Sequence, residues 1–146
     1  MIALLGLKRN MKTSAKGLQF IREQEGSVDH IYTAITGHLT VGVGHLVQLG
    51  EIFPNQLTNE EIDALLAVDV ERFEDAVNGY GLDLTQNQFD VLVDFAFNCG
   101  ESALAKLLSH GLEDVPNQLP KWNRSGGRVL KALVRRRALE VEMCNT

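Results

Sequence analysis

The sequence predicts an α+β chain, mainly helical, with one β-hairpin in its first third. Three observations carry this reading. Two capping boxes, Thr58-Asn59-Glu60-Glu61 and Thr85-Gln86-Asn87-Gln88, each set a threonine before a helix with Glu or Gln three residues later. The segment Phe89–Phe97 is apolar nearly all round, which marks a helix buried on most sides. Two short alternating runs, Ser27–Tyr32 and Leu39–Val43, are joined by Thr36-Gly37-His38 and so read as a hairpin.

With 146 residues, 45% apolar and 23% charged, the chain is long enough for one compact domain with a small subdivision. The boundaries expected are a small β-containing lobe over about 14–57, a long connecting helix over about 58–78, and a helical lobe over about 79–146. No apolar run approaches the roughly 20 residues of a membrane span, so no membrane insertion is expected. Met1–Leu7 is apolar but short, and Lys8 and Arg9 follow it rather than precede it, which makes a poor signal peptide. Cys99 and Cys144 form no Cys-x-x-Cys or Cys/His pattern, so neither metal nor cofactor is expected. Cys99 reads as a small core residue, and a Cys99–Cys144 disulfide stays open. The net charge of −5 is uneven. Residues 117–146 hold seven basic residues, Lys121, Arg124, Arg128, Lys131 and Arg135–Arg137, against Glu140 and Glu142. That basic patch reads either as a contact for an anionic polymer or as a solvated helix face.

In chain order, Met1–Lys12 reads as a frayed arm or a first helical turn. Ser14 caps a helix that ends at Glu25, with Gly26 as its left-handed terminator. A carboxylate at the negative end of a helix holds its proton more tightly, which suits a general acid. Thr40, on the return strand, is expected to face back toward Glu25, and Gly42 and Gly44 leave room for a ligand or another backbone. Asp69 lies on the apolar stripe of the helix that Thr58 opens. It therefore needs a partner, with His45 the first choice, unless it sits solvated at the rim. Gly79 and Gly81 break the chain before the second capping box. Ser102–His110 is a short helix closed by Gly111. Pro116 suits a helix start, and Pro120 prevents a long one.

The ordered string Glu25-Gly26, Tyr32 and Thr40-Val41-Gly42-Val43-Gly44-His45 resembles the phage-type lysozymes, the endolysins. Phe97-Asn98-x-Gly100, Trp122-x-x-x-Gly126-Gly127 and Leu133-Val134-Arg135-Arg136-Arg137 resemble later motifs of that family, in its order. One position departs: where the family has an acidic residue nine after the Glu and six before the Thr, this chain has Ala34.

The resemblance implies a lysozyme-like fold, with a cleft between a hairpin-bearing small lobe and a helical lobe. It implies hydrolysis of the β-1,4 bond between N-acetylmuramic acid and N-acetylglucosamine in bacterial peptidoglycan. Glu25 would be the acid and Thr40 would hold the water. Tyr32, Gly44, Leu46, Phe97 and Asn98 would contact the glycan, and His45–Asp69 would be a structural pair. With Ala34 in the aspartate position, weakened turnover or a catalytically inactive peptidoglycan-binding protein are both implied. A nucleic-acid partner is not favoured and a monomer is expected. The resemblance further implies residence in the host cytoplasm until release to the wall.

Overall fold

The computed structural model describes residues 9–146, which form two compact units. One comprises Thr13–Arg72. The other comprises Phe73–Thr146 together with the described residues up to Lys12. The signal-peptide reading of Met1–Leu7, and the part of the arm reading that covers Met1–Lys8, lie outside the described residues. Residues 9–12 are neither frayed nor helical. The Met11 N–H donates to Asn78 Oδ1 at 3.0 Å, and Asn78 Nδ2 donates back to the Met11 carbonyl at 3.0 Å.

In the first unit, α1 spans Ala15–Glu25. Ser14 caps it by accepting from the Gly17 N–H at 3.0 Å, and Gly26 ends it at φ 77°. Its inner face buries Ile21, which is 0% exposed and worth about 1.5–3 kcal/mol by burial alone. A three-stranded antiparallel sheet follows in the order β1 (Val28–Thr33), β2 (Leu39–Gly42), β3 (His45–Leu46). The third strand was not foreseen, being too short to show alternation. Strand β1 carries a bulge: between Val28↔Gly42 and Tyr32↔Thr40 it advances four residues while β2 advances two.

Helix α2 (Asn59–Asp69) opens with the Thr58–Glu61 capping box in both directions, and α3 covers Glu71–Asn78. The connecting helix expected as one piece over 58–78 is therefore broken at Val70. Val68-Asp69-Val70 combines three poor helix formers, and Val70, at 0% exposure, is drawn into the core. Arg22 ties α1 to α2, its Nη1 donating to Asp63 Oδ1 and its Nη2 to Asn59 Oδ1, both at 2.7 Å.

The second unit is built around α4 (Gln86–Cys99), opened by the Thr85–Gln88 capping box and buried continuously from Phe89 to Ala96. Helix α5 (Glu101–Leu108) buries Ala103, Leu104 and Leu107. The Pro116–Pro120 region becomes a 3-10 turn, the four-residue α6 (Val115–Gln118) and a second 3-10 turn, as two closely spaced prolines dictate. A small hairpin of β4 (Arg124–Ser125) and β5 (Arg128–Val129) turns at Gly126-Gly127, both at positive φ. Helix α7 (Lys131–Cys144) closes the chain.

The reading of residues 117–146 as one basic surface needs correction. Arg136 is 4% and Arg137 0% exposed. Arg136 forms a forked pair with Asp94 of α4, Nη2 to Oδ1 at 2.6 Å and Nε to Oδ2 at 3.1 Å. Arg137 Nε is 2.8 Å from Glu140 Oε1 of the same helix, while its Nη1 and Nη2 donate to Cys99 Sγ and Asn98 Oδ1 of α4. Two of the basic residues thus bind α7 to α4 and offer no charge to a polymer. Both cysteines are free thiols. Burial, with Glu140 nearby, pushes the Cys144 thiol up to about 11, so it stays protonated near neutral pH.

Candidate active site

Glu25 is the last residue of α1, exposed at the point where the chain turns through Gly26 into β1. The first unit also arranges a row across its sheet: Tyr32 on β1 is in register with Thr40 on β2, and Thr40 with Leu46 on β3. Paired residues of an antiparallel sheet project to the same face. Tyr32, Thr40 and Leu46 therefore form one stripe, with Thr40 buried to 4% exposure between two more exposed neighbours.

The β1–β2 turn supplies further order. The His38 carbonyl accepts from the Thr40 hydroxyl at 3.1 Å and from the Ala34 N–H at 2.9 Å. One carbonyl thus draws position 34 and Thr40 together. The Thr40 hydroxyl has a single proton, and it is committed to His38. What Thr40 presents outward is acceptor capacity, able to take a hydrogen bond from a water molecule.

The glycines divide by role. Gly44 is exposed at φ +70°, and a Cβ built there meets nothing within 4 Å, so it leaves open space for a ligand. Gly42 does not. It is buried at φ +68°, and a Cβ there would lie 3.3 Å from Leu65 Cδ2. Its missing side chain admits α2, not a ligand.

His45 ends this motif and stands between two carboxylates. Its Nδ1 lies 2.9 and 2.8 Å from the two Asp69 oxygens, and its Nε2 lies 2.9 Å from Glu51 Oε1. Burial opposes the His45 charge, but the hydrogen bonds to Glu51 and then Asp69 outweigh it and raise its proton affinity. A histidine partner by itself would make Asp69 more acidic. Its affinity rises instead, because half-burial costs its charge more than the His45 hydrogen bond returns, and Glu51 adds repulsion. Glu51 escaped the sequence reading. It lies in an irregular loop, and its Oε1 is positioned by the Gln48 N–H at 2.6 Å.

Phe97 and Asn98 belong to the second unit. Phe97 meets Phe73 edge to face at 5.5 Å between ring centroids. Asn98, in the last turn of α4, accepts from Arg137 Nη2 at 2.6 Å. The same unit holds a recess of about 450 Å³ lined by Lys106, Ser109, His110, Gln118, Lys121 and Trp122. The Trp122 ring is steadied by an edge contact to Phe95 at 5.4 Å. Such polar lining with one aromatic wall suits a hydroxyl-rich ligand. Nothing in the sequence order links these residues, which come from α5, the turn after it, α6 and the end of the second 3-10 turn. A larger recess of the first unit, about 700 Å³, lies along the Ala15–Leu18–Arg22 face of α1 and includes neither Glu25 nor Thr40. Its polar side chains already pair with one another, Gln19 with Glu23 and Arg22 with Asn59 and Asp63. Among the described residues, no cluster of three or more His, Cys, Asp or Glu could hold a metal ion. Among them also, no helix is long and apolar enough to cross a membrane.

A glutamate-terminated helix leading into a small antiparallel sheet in one unit, and a helical unit centred on one buried helix, together define a lysozyme-like α+β fold. The phage lysozyme family profile matches residues 22–140, and the chain belongs to that family. It is 36% identical over 146 residues to the endolysin of Bacillus phage PZA, covering 93% of this chain and 56% of that protein. Thus the chain spans about half the length of the curated relatives it matches first, 56% and 52% for those of Bacillus phages PZA and B103. Among solved structures, the muramidase domain of SpmX from Asticcacaulis excentricus is similar at TM-score 0.79 and 32% identity, covering 94% of this chain and 99% of that one. A variant of the lysozyme of phage P22 is similar at TM-score 0.81 and 25% identity, with 94% and 100% covered.

Proposed function

We propose that the protein hydrolyses bacterial peptidoglycan at the β-1,4 bond between N-acetylmuramic acid and N-acetylglucosamine, acting as a monomer. The observation that carries this is Glu25 at the end of α1, directly followed by the Tyr32–Thr40–Leu46 row, in a chain of the phage lysozyme family. In this reading Glu25 delivers a proton to the leaving glycosidic oxygen. A water on the opposite face of the sugar attacks the anomeric carbon as the bond to the leaving oxygen breaks, and it releases its proton to solvent, giving inversion. Thr40, with its proton committed to His38, accepts a hydrogen bond from that water and aims its lone pair. Tyr32, Leu46 and the open backbone at Gly44 contact the glycan from the first unit. Phe97 and Asn98 are glycan contacts as well.

A second reading, a peptidoglycan-binding protein without turnover, is favoured by one observation. Ala34 offers a methyl group where a general base would receive the water proton, and such a base contributes about 10²–10⁴-fold. One experiment separates the two. Clearing of a bacterial wall suspension is followed for the parent and for Glu25→Gln, with mass spectrometry of the reducing ends released. The hydrolase reading expects N-acetylmuramic acid reducing ends from the parent alone. Equal clearing by both proteins would remove Glu25 from the mechanism. Wall binding without products from either would establish the second reading.

A further inference from the structure

Asn98 and Arg137 carry an inference about what the glycan site recognises. Arg137 is 0% exposed, and its guanidinium is held on every side. Nε is 2.8 Å from Glu140, Nη1 donates to Cys99 Sγ at 3.0 Å, Nη2 donates to Asn98 Oδ1 at 2.6 Å, and the plane lies 4.9 Å from the Phe95 ring centroid. A guanidinium carries donors only, so the Asn98 atom that faces it must be the carbonyl oxygen. The amide therefore cannot turn over. Asn98 Oδ1 takes a second donor, the Cys99 thiol at 3.4 Å, while Nδ2 has no protein partner among the described residues, and the residue is only partly buried. An asparagine that rotated freely would offer either a donor or an acceptor. This one offers a donor alone.

We propose that Arg137 is a positioning residue that locks Asn98 as a one-way hydrogen-bond donor, so that the site selects an amide carbonyl of the wall polymer. The proposal deepens the peptidoglycan reading and rests on it. Two groups of that polymer supply an amide carbonyl, the acetamido group of an aminosugar and the stem peptide. Glu140 completes the device. Burial first, and the neighbouring Asp94 carboxyl second, raise its proton affinity well above that of an ordinary glutamate, and its Oε1 lies 2.8 Å from Arg137 Nε. Arg137 is thus kept in place by packing and by the aromatic face as well as by charge.

The test uses binding, so that it does not depend on turnover. In the Glu25→Gln background, Asn98→Asp replaces the donor with a second acceptor while keeping the shape and strengthening the pair with Arg137. Affinity for purified peptidoglycan is expected to fall at least about tenfold, the effect of losing one hydrogen bond to a carbonyl, with thermal stability unchanged or raised. An N-acetylglucosamine tetramer, which lacks peptide, locates the carbonyl. A tenfold loss on both probes assigns the acetamido group, and a loss on peptidoglycan alone assigns the stem peptide. Arg137→Lys in the active parent is expected to raise KM several-fold with kcat kept within about twofold. Should that variant fail to fold, Asn98→Asp decides by itself. Unchanged binding by Asn98→Asp on both probes would overturn the proposal, as would a loss that tracks a fall in melting temperature. The peptidoglycan reading itself fails separately, if the Glu25→Gln protein with Asn98 intact does not bind the wall.

Discussion

His45 Nδ1 lies within 2.9 Å of both Asp69 oxygens, joining the end of the sheet's glycine motif to the last residue of α2. The two side chains are 12% and 24% exposed, so the pair is shielded enough to matter. His45 has a raised proton affinity, so its stabilisation is fully present below about pH 6.5 and is lost as pH rises through its folded pKa. Asp69 also has a raised pKa, so its ionisation costs the folded state as pH climbs above 3.8. Both slopes therefore run downhill from acid toward alkali. A double-mutant cycle with His45→Gln and Asp69→Asn is expected to give about 1.5–3 kcal/mol of coupling in the pH range where both groups are charged. That coupling should fade as His45 loses its proton. Urea unfolding at a series of pH values measures it, and a coupling that is flat across the series refutes the charged pair.

Gly42 and Gly44 separate stability from binding. Both sit at left-handed φ, +68° and +70°, where an L-residue costs about 1–2 kcal/mol. Only Gly42→Ala also drives a methyl group to 3.3 Å from Leu65 Cδ2. Gly42→Ala is expected to be the less stable of the two by about 1 kcal/mol. Gly44→Ala is expected to raise KM for peptidoglycan, because its added carbon points into open space. Denaturation midpoints and wall-lysis kinetics on both variants test this together. Gly44→Ala with an unaltered KM would take that residue out of the glycan site.

Thr40 offers a sharper test of the water-holding role. Thr40→Val keeps the β-branched shape in a strand, whereas Thr40→Ser keeps the hydroxyl. If the acceptor lone pairs of Thr40 orient the attacking water, Val lowers kcat/KM by at least about tenfold, and Ser retains most of it. Stability should move the other way, since Ser leaves a small void where Thr40 is 4% exposed. Comparable rates for Val and the parent would mean that the hydroxyl serves only its bond to the His38 carbonyl.

What the sequence displayed was local. The capping boxes at Thr58 and Thr85, the Ser14 cap and the Gly26 terminator are interactions between residues three or four apart, and their residue types announce them. The His45–Asp69 contact was also legible, because a carboxylate on an apolar stripe demands a partner. The α7 helix was not. There hydropathy points the wrong way: Val134 is 45% exposed while Arg137 is 0% exposed. The reason lies 42 residues earlier, in Asp94 on the mainly apolar, buried α4, whose charge only makes sense once Arg136 is against it. Buried ion pairs of that kind are written in two places at once, and neither half is readable alone. The same holds for Glu51, which completes the His45 arrangement from a loop without periodicity.

The last prediction concerns Ala34, which occupies the first position of the turn Ala34-Ile35-Thr36-Gly37. The Gly37 N–H donates to the Ala34 carbonyl at 2.8 Å, which closes the turn, and Ala34 N–H and the Thr40 hydroxyl share the His38 carbonyl. A side chain at position 34 therefore starts next to the group that would hold the attacking water. Aspartate is among the residues favoured at the first position of such a turn, where its oxygens meet nearby N–H groups. Introducing it requires no change in the backbone hydrogen bonds, which use only main-chain atoms of residue 34. Asp29 does not already fill the role. Its carboxylate is held by His30 Nδ1 and Gln56 Nε2, both at 2.9 Å, and these contacts lower its pKa, which makes it a weak proton acceptor. Ala34→Asp is therefore expected to raise kcat/KM on purified peptidoglycan by at least about tenfold, the low end of what a positioned base contributes once acid and water-holder are present. The gain should vanish below the pKa of the new carboxylate, because only its ionised form accepts the water proton. It should also vanish in the Glu25→Gln background, where no acid remains. A parent rate already well above the Glu25→Gln blank, with no gain from Ala34→Asp, would show that another group takes the proton, and His38 and Thr36 of the same turn would be the next residues to replace.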